Sequence, residues 1–162
     1  MALTHLADTS VLTRLGVAPV RAAVRELLTA GMLGRCAVTD LELGFSARNA
    51  AEWDHLMKSV RLIPPVEIKS EDFSRALGVQ RALAEQGLRG RKVPALLIAA
   101  VAERHGAVLL HYDPDFELTA AMTGQPHEWV VPRGSIDQPQ AAAGRGGHGR
   151  NDLVAGEPAT RS

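Results

Sequence analysis

Short apolar runs alternate with longer helical patterns along this chain, and this alternation constrains the fold more than any other feature. Residues 3–7 and 107–110 have the length and composition of short strands. Residues 94–105 form a helical pattern whose apolar positions run almost all round, which is typical of a buried helix. Strands that alternate with helices favour an α/β fold. The sequence therefore predicts a central, mostly parallel sheet flanked by helices.

The remaining elements follow from the same patterns and from the glycines and prolines that punctuate them. Pro19 suits the first turn of a helix, and Gly31 follows its last apolar residue. Further helices are predicted over residues 9–15, 19–30, 39–47, 52–60 and 70–86. Further strands are predicted over residues 61–63 and 128–131.

Composition is that of a single globular domain. At 162 residues and 46% hydrophobic content, the chain is long enough to bury a core. The 18 basic and 18 acidic residues balance, so net charge does not favour any class of partner. The one cysteine, Cys36, cannot form an intramolecular disulfide, which is typical of a reducing compartment. We expect Cys36 to be a small buried residue.

Neither a secretory signal nor a membrane span is predicted. Thr4 and His5 interrupt the start of the chain, and no apolar run approaches the ~20 residues that a spanning helix needs. We therefore expect a soluble, cytoplasmic protein. From residue 137 the composition shifts to glycine and alanine, with only Leu153 and Val154 as large aliphatic residues. This shift predicts a domain over residues 1–135 and a flexible tail over residues 136–162.

Four acidic residues occupy positions where the fold would gather them. Asp8 follows the first predicted strand, Asp113 and Asp115 follow the strand at 107–110, and Glu42 lies early in a predicted helix. In an open parallel sheet, residues just past the carboxyl ends of the strands line one crevice. Carboxylates gathered there repel one another unless a cation neutralises them, and Mg²⁺ or Mn²⁺ suits such oxygen ligands. The pattern favours a metal-dependent nuclease.

Each acidic residue also has a purely structural interpretation. Asp8 has the position of a helix N-cap, and Asp113 before Pro114 has the same signature. Thr39 and Glu42 have the spacing of a capping box. The sequence alone leaves both interpretations open at each position.

A short basic cluster precedes the apolar helix. Arg89, Arg91 and Lys92 form either a solvated loop or a surface that contacts phosphate groups beside the acidic crevice. The helix that follows begins near Pro94, and its N-terminus also favours anions. His5, His105 and His111 lack the spacing of a zinc site, so we expect them at ordinary polar positions.

Several segments together resemble the PIN-domain ribonucleases of the VapC toxin type. Their order and spacing carry the resemblance more than any one motif, and it covers roughly residues 1–135. The matching segments are residues 6–10, 39–42, 92–94 with 97–100, 111–116 and 128–132.

The resemblance implies a Mg²⁺ site, for which Mn²⁺ is a possible substitute. Asp8, Glu42 and Asp113 match three of the four acidic positions of such sites, with Asp8 and Asp113 as the chief metal ligands. Asp115 matches a further acidic position found in many members. The remaining position falls on Ala95, where the family has an aspartate. Alanine removes a carboxylate but preserves the helix, since it is the best helix former. An engineered change and a natural loss both remain open.

The resemblance implies an endoribonuclease toxin that cleaves structured RNA such as tRNA or ribosomal RNA. It also implies a cognate antitoxin and a homodimer, with Arg89, Arg91 and Lys92 steadying the RNA backbone. We expect Ala95 to weaken or abolish cleavage. The alternative is a non-catalytic module with the same fold that binds antitoxin or RNA. A phosphatase of the haloacid dehalogenase type is disfavoured, because Ser10 stands where its second aspartate is needed.

Overall fold

A computed structural model describes residues 2–88 and 92–137, and these form one sheet with helices on both faces. The strands are β1 (His5–Ala7), β2 (Leu33–Cys36), β3 (Pro65–Val66), β4 (Val108–His111) and β5 (His127–Trp129). The helices are α1 (Thr9–Leu12), α2 (Ala18–Thr29), α3 (Ala37–Phe45), α4 (Ala50–Val60), α5 (Ser70–Glu85), α6 (Val93–Arg104) and α7 (Asp115–Thr123).

All the strand pairs are parallel, in the order β3-β2-β1-β4-β5. The predicted α/β fold with a parallel sheet is therefore confirmed. The central strand β1 aligns Leu6 with Gly34 of β2 on one side and with Leu109 of β4 on the other. The strands β2 and β3 follow β1 on one side of the sheet, and β4 and β5 lie on its other side. The strand order therefore reverses between β1 and β4. Ligands of open α/β sheets bind outside the carboxyl ends of the strands at this kind of reversal.

The two faces of the sheet bury different helices because successive residues of a strand point to opposite sides. Leu6 and Leu109 belong to a core cluster with residues of α6, as the apolar pattern of that helix predicts. Ala7 and Leu110 belong to a second cluster with residues of α2 and α4. Ile136 packs against this second cluster, whereas the predicted tail from residue 138 onward lies outside the described residues.

The strand β2 is absent from the sequence-based prediction, and the structure explains why. It contains Gly34 and Arg35, which break any apolar run, yet all four residues are buried. A Cβ at Gly34 would come within 2.6 Å of Val66, so neighbouring strands need glycine there. The buried Arg35 guanidinium donates to the Val60 carbonyl at 2.9 Å and to Asp40 at 2.7 Å. The contacts of Gly34 and Arg35 in the folded protein explain why these residues lie in a buried strand, and the local sequence pattern does not predict those contacts.

The predicted strand over residues 61–63 is wrong. These residues form a turn after α4, and the edge strand β3 begins at Pro65. The apolar signal there comes from Ile63, which is buried in the core without belonging to a strand. The Pro64 carbonyl accepts a hydrogen bond from the Arg35 N–H, and proline is tolerated on an edge strand such as β3. Within the described ranges, no helix is long and apolar enough to cross a membrane.

Candidate active site

Asp8 follows β1 directly and is both a helix cap and a buried acid. Its backbone N–H donates to the Leu110 carbonyl at 2.9 Å, which ties it to β4. One carboxylate oxygen accepts the Ser10 N–H at 2.9 Å and caps α1, so the capping interpretation is correct in part. The side chain is only 5% exposed. Burial raises the pKa of the Asp8 carboxyl above 3.8, the hydrogen bonds from Ser10 oppose this, and the charge of Glu42 raises it further.

Glu42 projects from α3 toward α1, where its carboxylate accepts a hydrogen bond from the Thr9 hydroxyl at 2.6 Å. The capping-box interpretation of Thr39 and Glu42 is wrong because α3 begins two residues earlier, at Ala37. The Thr39 hydroxyl donates instead to the Cys36 carbonyl at 2.6 Å. Glu42 therefore has no capping role and is available to the space beside Asp8.

Asp113 lies in the short connection between β4 and α7. Its carboxylate accepts the Asp115 N–H at 2.9 Å, and its own backbone N–H donates to Nδ1 of His111 at 3.1 Å. Asp115 itself begins α7. The N-cap predicted at Asp113 is therefore displaced by one residue, because Pro114 directly precedes α7, but the Asp113 carboxylate still accepts a backbone N–H of the first helical residue.

His111 is completely buried, so the expectation of an ordinary polar position is wrong for this residue. Its Nε2 lies 2.8 Å from Nδ1 of His127. Burial and the nearby His127 lower the pKa of His111 to about 4. The imidazole is therefore neutral at physiological pH, with Nδ1 free of a proton and able to accept the Asp113 N–H.

Ser10 and Tyr112 connect the two strand ends that carry the acids. The Ser10 hydroxyl accepts the Tyr112 N–H at 2.9 Å, while the Ser10 backbone N–H donates to Asp8. One residue thus holds the loop after β4 against the loop after β1. Sequence analysis did not assign this role, since the two residues are 102 positions apart.

A pocket of about 300 Å³ opens at the carboxyl ends of β1 and β4. The acids Asp8, Glu42 and Asp113 share its wall with two cations, Arg14 and Lys92. The complete lining is Asp8, Thr9, Ser10, Thr13, Arg14, Glu42, Lys92, Ala95, Tyr112, Asp113 and Pro114. Asp115 begins α7 just beyond this lining, while Arg89 and Arg91 lie outside the described residues.

The donor chemistry of the pocket suits a hard cation, but the set of ligands is incomplete. Carboxylate and hydroxyl oxygens are the groups that Mg²⁺ prefers. Among residues 2–88 and 92–137, however, no three His, Cys, Asp or Glu side chains are grouped closely enough to hold a metal ion. Ala95, in the first turn of α6, supplies only a methyl group to the same pocket. Within the described part of the chain, the pocket carboxylates therefore do not form a three-ligand group.

Comparison with known proteins decides the family. The sequence profile of the PIN domain matches residues 6–122, which include all of β1 except His5, the whole of β4 and every acidic residue of the pocket. This chain belongs to the PIN domain family. The resemblance found in the sequence is thereby confirmed.

Curated relatives place the chain among the VapC ribonucleases of that family. It is 53% identical to Ribonuclease VapC51 of Mycobacterium tuberculosis over 137 residues, which span 85% of this chain and 100% of that relative. It is 42% identical to Ribonuclease VapC21 of the same species, over 83% of this chain and 99% of that relative. The similarity thus extends over whole relatives rather than over one motif.

Solved structures share the fold of this PIN domain. VapBC2 from Rickettsia felis, bound to a promoter DNA fragment, matches with a TM-score of 0.66 at 12% identity, covering 78% of this chain and 99% of that chain. VapBC-5 from Mycobacterium tuberculosis, a toxin–antitoxin system, matches with a TM-score of 0.54 at 26% identity, covering 77% and 95%. At 12% identity the first match supports the fold alone.

Proposed function

We propose that this PIN domain is the ribonuclease toxin of a toxin–antitoxin pair, and that Ala95 weakens or abolishes its activity. The parent reaction is endonucleolytic cleavage of structured RNA such as tRNA or ribosomal RNA, with Mg²⁺ as the cofactor. The observation that carries the proposal is the acidic pocket at the strand-order reversal, in a chain 53% identical to a VapC ribonuclease.

The electrostatics of the pocket support a site built around a bound cation. Burial raises the pKa of Asp8, and the unfavourable interaction with the charge of Glu42 raises it further. A divalent cation held chiefly by Asp8 and Asp113 would relieve that repulsion. Perturbed carboxylates in a cleft are a usual feature of catalytic sites.

Ala95 explains why the carboxylates of this chain do not amount to a finished metal site. It lines the pocket from the first turn of α6, so an aspartate there would add a carboxylate to the wall that carries Asp8, Glu42 and Asp113. The missing charge lowers both the ligand count and the attraction for a divalent ion. The fold does not need an acid at this position, since alanine favours the helix.

An antitoxin is the proposed protein partner. Several solved structures with this fold are VapBC complexes, including those from Rickettsia felis and Salmonella typhimurium. An arginine of the antitoxin that pairs with the pocket carboxylates would block the site through charge-assisted hydrogen bonds. A homodimer remains a prediction for this chain.

The second candidate function is a non-catalytic module that binds antitoxin or RNA. The observation in its favour is the absence of a three-ligand metal group among the described residues, in a pocket otherwise furnished with acids and cations. This candidate predicts RNA binding without cleavage at any concentration of Mg²⁺ or Mn²⁺, even after an acid is restored at Ala95.

The test is RNA cleavage by the unmodified chain and by its Ala95→Asp variant, with total tRNA and ribosomal RNA in Mg²⁺ or Mn²⁺. We expect the variant to cut at discrete sites at least about 10²-fold faster, the usual scale for one catalytic group. Calorimetric titration with Mn²⁺ should show tighter binding to the variant. Ala50→Asp, which adds the same charge at an exposed helix position, is the matched control and should cut no faster than the unmodified chain.

Each outcome separates the two candidate functions. Cleavage by Ala95→Asp that disappears on adding Asp8→Ala supports the ribonuclease and identifies Ala95 as the lesion. Equal cleavage by the unmodified chain and Ala95→Asp would contradict the role given to Ala95. If neither cuts and both bind RNA, the non-catalytic module is the better description.

A further inference from the structure

Arg14 is a cation of the acidic pocket that forms no ion pair with any described residue. It lines the pocket together with Asp8, Glu42 and Asp113. Yet among the residues that the structure describes, no carboxylate lies within ion-pair distance of its guanidinium, whereas arginines elsewhere on the surface, such as Arg75, form such pairs. A half-buried guanidinium left unpaired beside three acids is an unusual arrangement, because arginines seldom lose water without gaining an anion.

The position of Arg14 is fixed by neutral groups. Its Nη1 donates to the Ser10 carbonyl at 2.8 Å and lies 3.4 Å from the Thr13 hydroxyl. The guanidinium carbon stands 4.8 Å from the centre of the Tyr112 ring, within the range of a cation–π contact. These contacts hold the side chain without neutralising its charge.

Tyr112 is a rigid support for that guanidinium. The ring is only 5% exposed, and its hydroxyl accepts the Gly134 N–H at 3.0 Å. It meets the Trp129 ring edge-on with 5.3 Å between centroids. The Tyr112 backbone is fastened to Ser10, the residue that also accepts the hydrogen bond from Arg14. An arginine held on such a platform loses little further freedom when a ligand binds.

A purely structural role accounts for only part of the side chain. A guanidinium carries five N–H donors, and both hydrogen bonds of Arg14 come from Nη1. Across residues 2–88 and 92–137, Nε and Nη2 donate to no protein group. Two nitrogens of one planar fork are therefore available beside the pocket, which is the geometry that binds two oxygens of a phosphate.

We propose that Arg14 binds a phosphate group of the RNA backbone next to the pocket carboxylates. The inference rests on the proposed function and adds a substrate contact that sequence analysis did not identify. Contacts with phosphate position a strand without reading its sequence, so Arg14 sets the register of the RNA at the acids rather than the choice of base. Lys92, which lines the same pocket, provides a second positive charge for the same strand.

The test is equilibrium binding of a fluorescein-labelled RNA hairpin with a single-stranded loop, followed by fluorescence anisotropy over a series of salt concentrations, with Ca²⁺ replacing Mg²⁺ to prevent cleavage. Arg14→Met keeps an unbranched apolar stem over Tyr112 and removes the charge. We expect its affinity to fall about tenfold at low salt, the scale of one charged hydrogen-bonding contact. The slope of log K against log salt should become shallower by about 0.7, the value for one phosphate of a single strand.

Arg21→Met is the matched control, because it removes the same charge from a residue outside the pocket lining. Arg21 donates to the Leu15 and Gly16 carbonyls and also lacks an acidic partner among the described residues. Its salt slope should remain that of the unmodified chain. Arg14→Gln, which keeps a donor for the Ser10 carbonyl, separates charge from local structure and should show the same slope change as Arg14→Met.

The Arg14 contact and the proposed ribonuclease function can be contradicted separately. If the unmodified chain binds RNA but Arg14→Met and Arg14→Gln keep its affinity and slope, the Arg14 contact is overturned and the ribonuclease remains. If Arg14→Met loses affinity through misfolding while Arg14→Gln folds and binds normally, the contact is likewise overturned. Absence of RNA binding by the unmodified chain would overturn the proposed function and the Arg14 contact together.

Discussion

Among the described residues, two aspartates are almost completely buried, yet their surroundings shift their pKa values in opposite directions. Asp72 is 1% exposed, and its two carboxylate oxygens accept hydrogen bonds from Nε and Nη2 of Arg104 at 2.8 and 2.9 Å. It also accepts the Lys69 N–H and caps α5. Asp8 is 5% exposed and caps α1. The charged group that shifts its pKa is another acid, Glu42.

The pKa values record this difference. The hydrogen bonds from Arg104 lower the pKa of Asp72 below 3.8, while burial raises the pKa of Asp8 above 3.8. A carboxylate that only serves the fold is matched by a cation of the protein. Asp8, whose pKa is raised by burial, belongs instead to the class of perturbed carboxylates that cluster at functional sites.

The largest expected effect comes from removing Arg104, the cation that pairs with Asp72. Arg104→Met would leave a buried carboxylate unpaired, so we expect the free energy of unfolding at pH 7 to fall by about 3 kcal/mol or more. Urea denaturation followed by circular dichroism measures this loss. In the control Arg75→Met, the broken pair with Glu103 is partly exposed and should cost under about 1 kcal/mol. Equal losses in the two variants would contradict the comparison.

A smaller effect concerns His111, the buried imidazole that holds Asp113. Its pKa of about 4 lies below the ordinary value of 6.5, so the unfolded chain binds a proton more readily than the folded one between these values. The stabilisation is complete above about pH 6.5 and is lost as pH falls toward about 4. The difference between these two pKa values corresponds to a loss of roughly 3 kcal/mol at most in the free energy of unfolding. We expect denaturation midpoints to fall across this window.

His111→Gln removes the titrating group and should flatten the dependence of stability on pH between about 6.5 and 4. The control His55→Gln removes an exposed histidine and should leave that dependence intact. An unchanged profile in His111→Gln would show that other groups cause the acid sensitivity.

The smallest expected effect is a gain in stability. Asp8→Asn keeps a side-chain oxygen that can accept the Ser10 N–H, and asparagine caps helices about as well as aspartate. Because the pKa of Asp8 is raised, its charged form opposes folding at pH 7, and we expect the variant to be more stable by about 1 kcal/mol. The charge is costly only above the unfolded value of 3.8, so the gain should shrink as pH falls toward it.

Thermal unfolding of Asp8→Asn across this pH range measures the gain. Asp54→Asn changes an exposed aspartate and should leave stability unchanged at each pH. A variant at Asp8 that is less stable than the unmodified chain at pH 7 would remove the contrast with Asp72.

Local patterns predicted the parts of the fold that depend on neighbouring residues. The helix α6 could be predicted from its apolar residues, and β1 and β4 from short runs that end before Asp8 and His111–Asp113. The parallel order of strands then brings Asp8 and Asp113 to one edge, where both line the pocket. The strand β2 escaped prediction because Gly34 and Arg35 are explained by Val66 and Val60, which are distant in sequence, and by Asp40 of the helix that follows.

The sequence by itself determined most of the alternation of elements and the carboxylates at strand ends, because these follow from residue type and spacing, whereas the departure at Ala95 is what the resemblance to the PIN family implies. Only the tertiary structure decided which charges are matched. Arg104 reaches Asp72 across 32 positions, and Arg14 stands over Tyr112 without a carboxylate partner in the described chain. The energy of a charge depends on burial and on the groups a few ångströms away, and folding brings those together from remote parts of the chain.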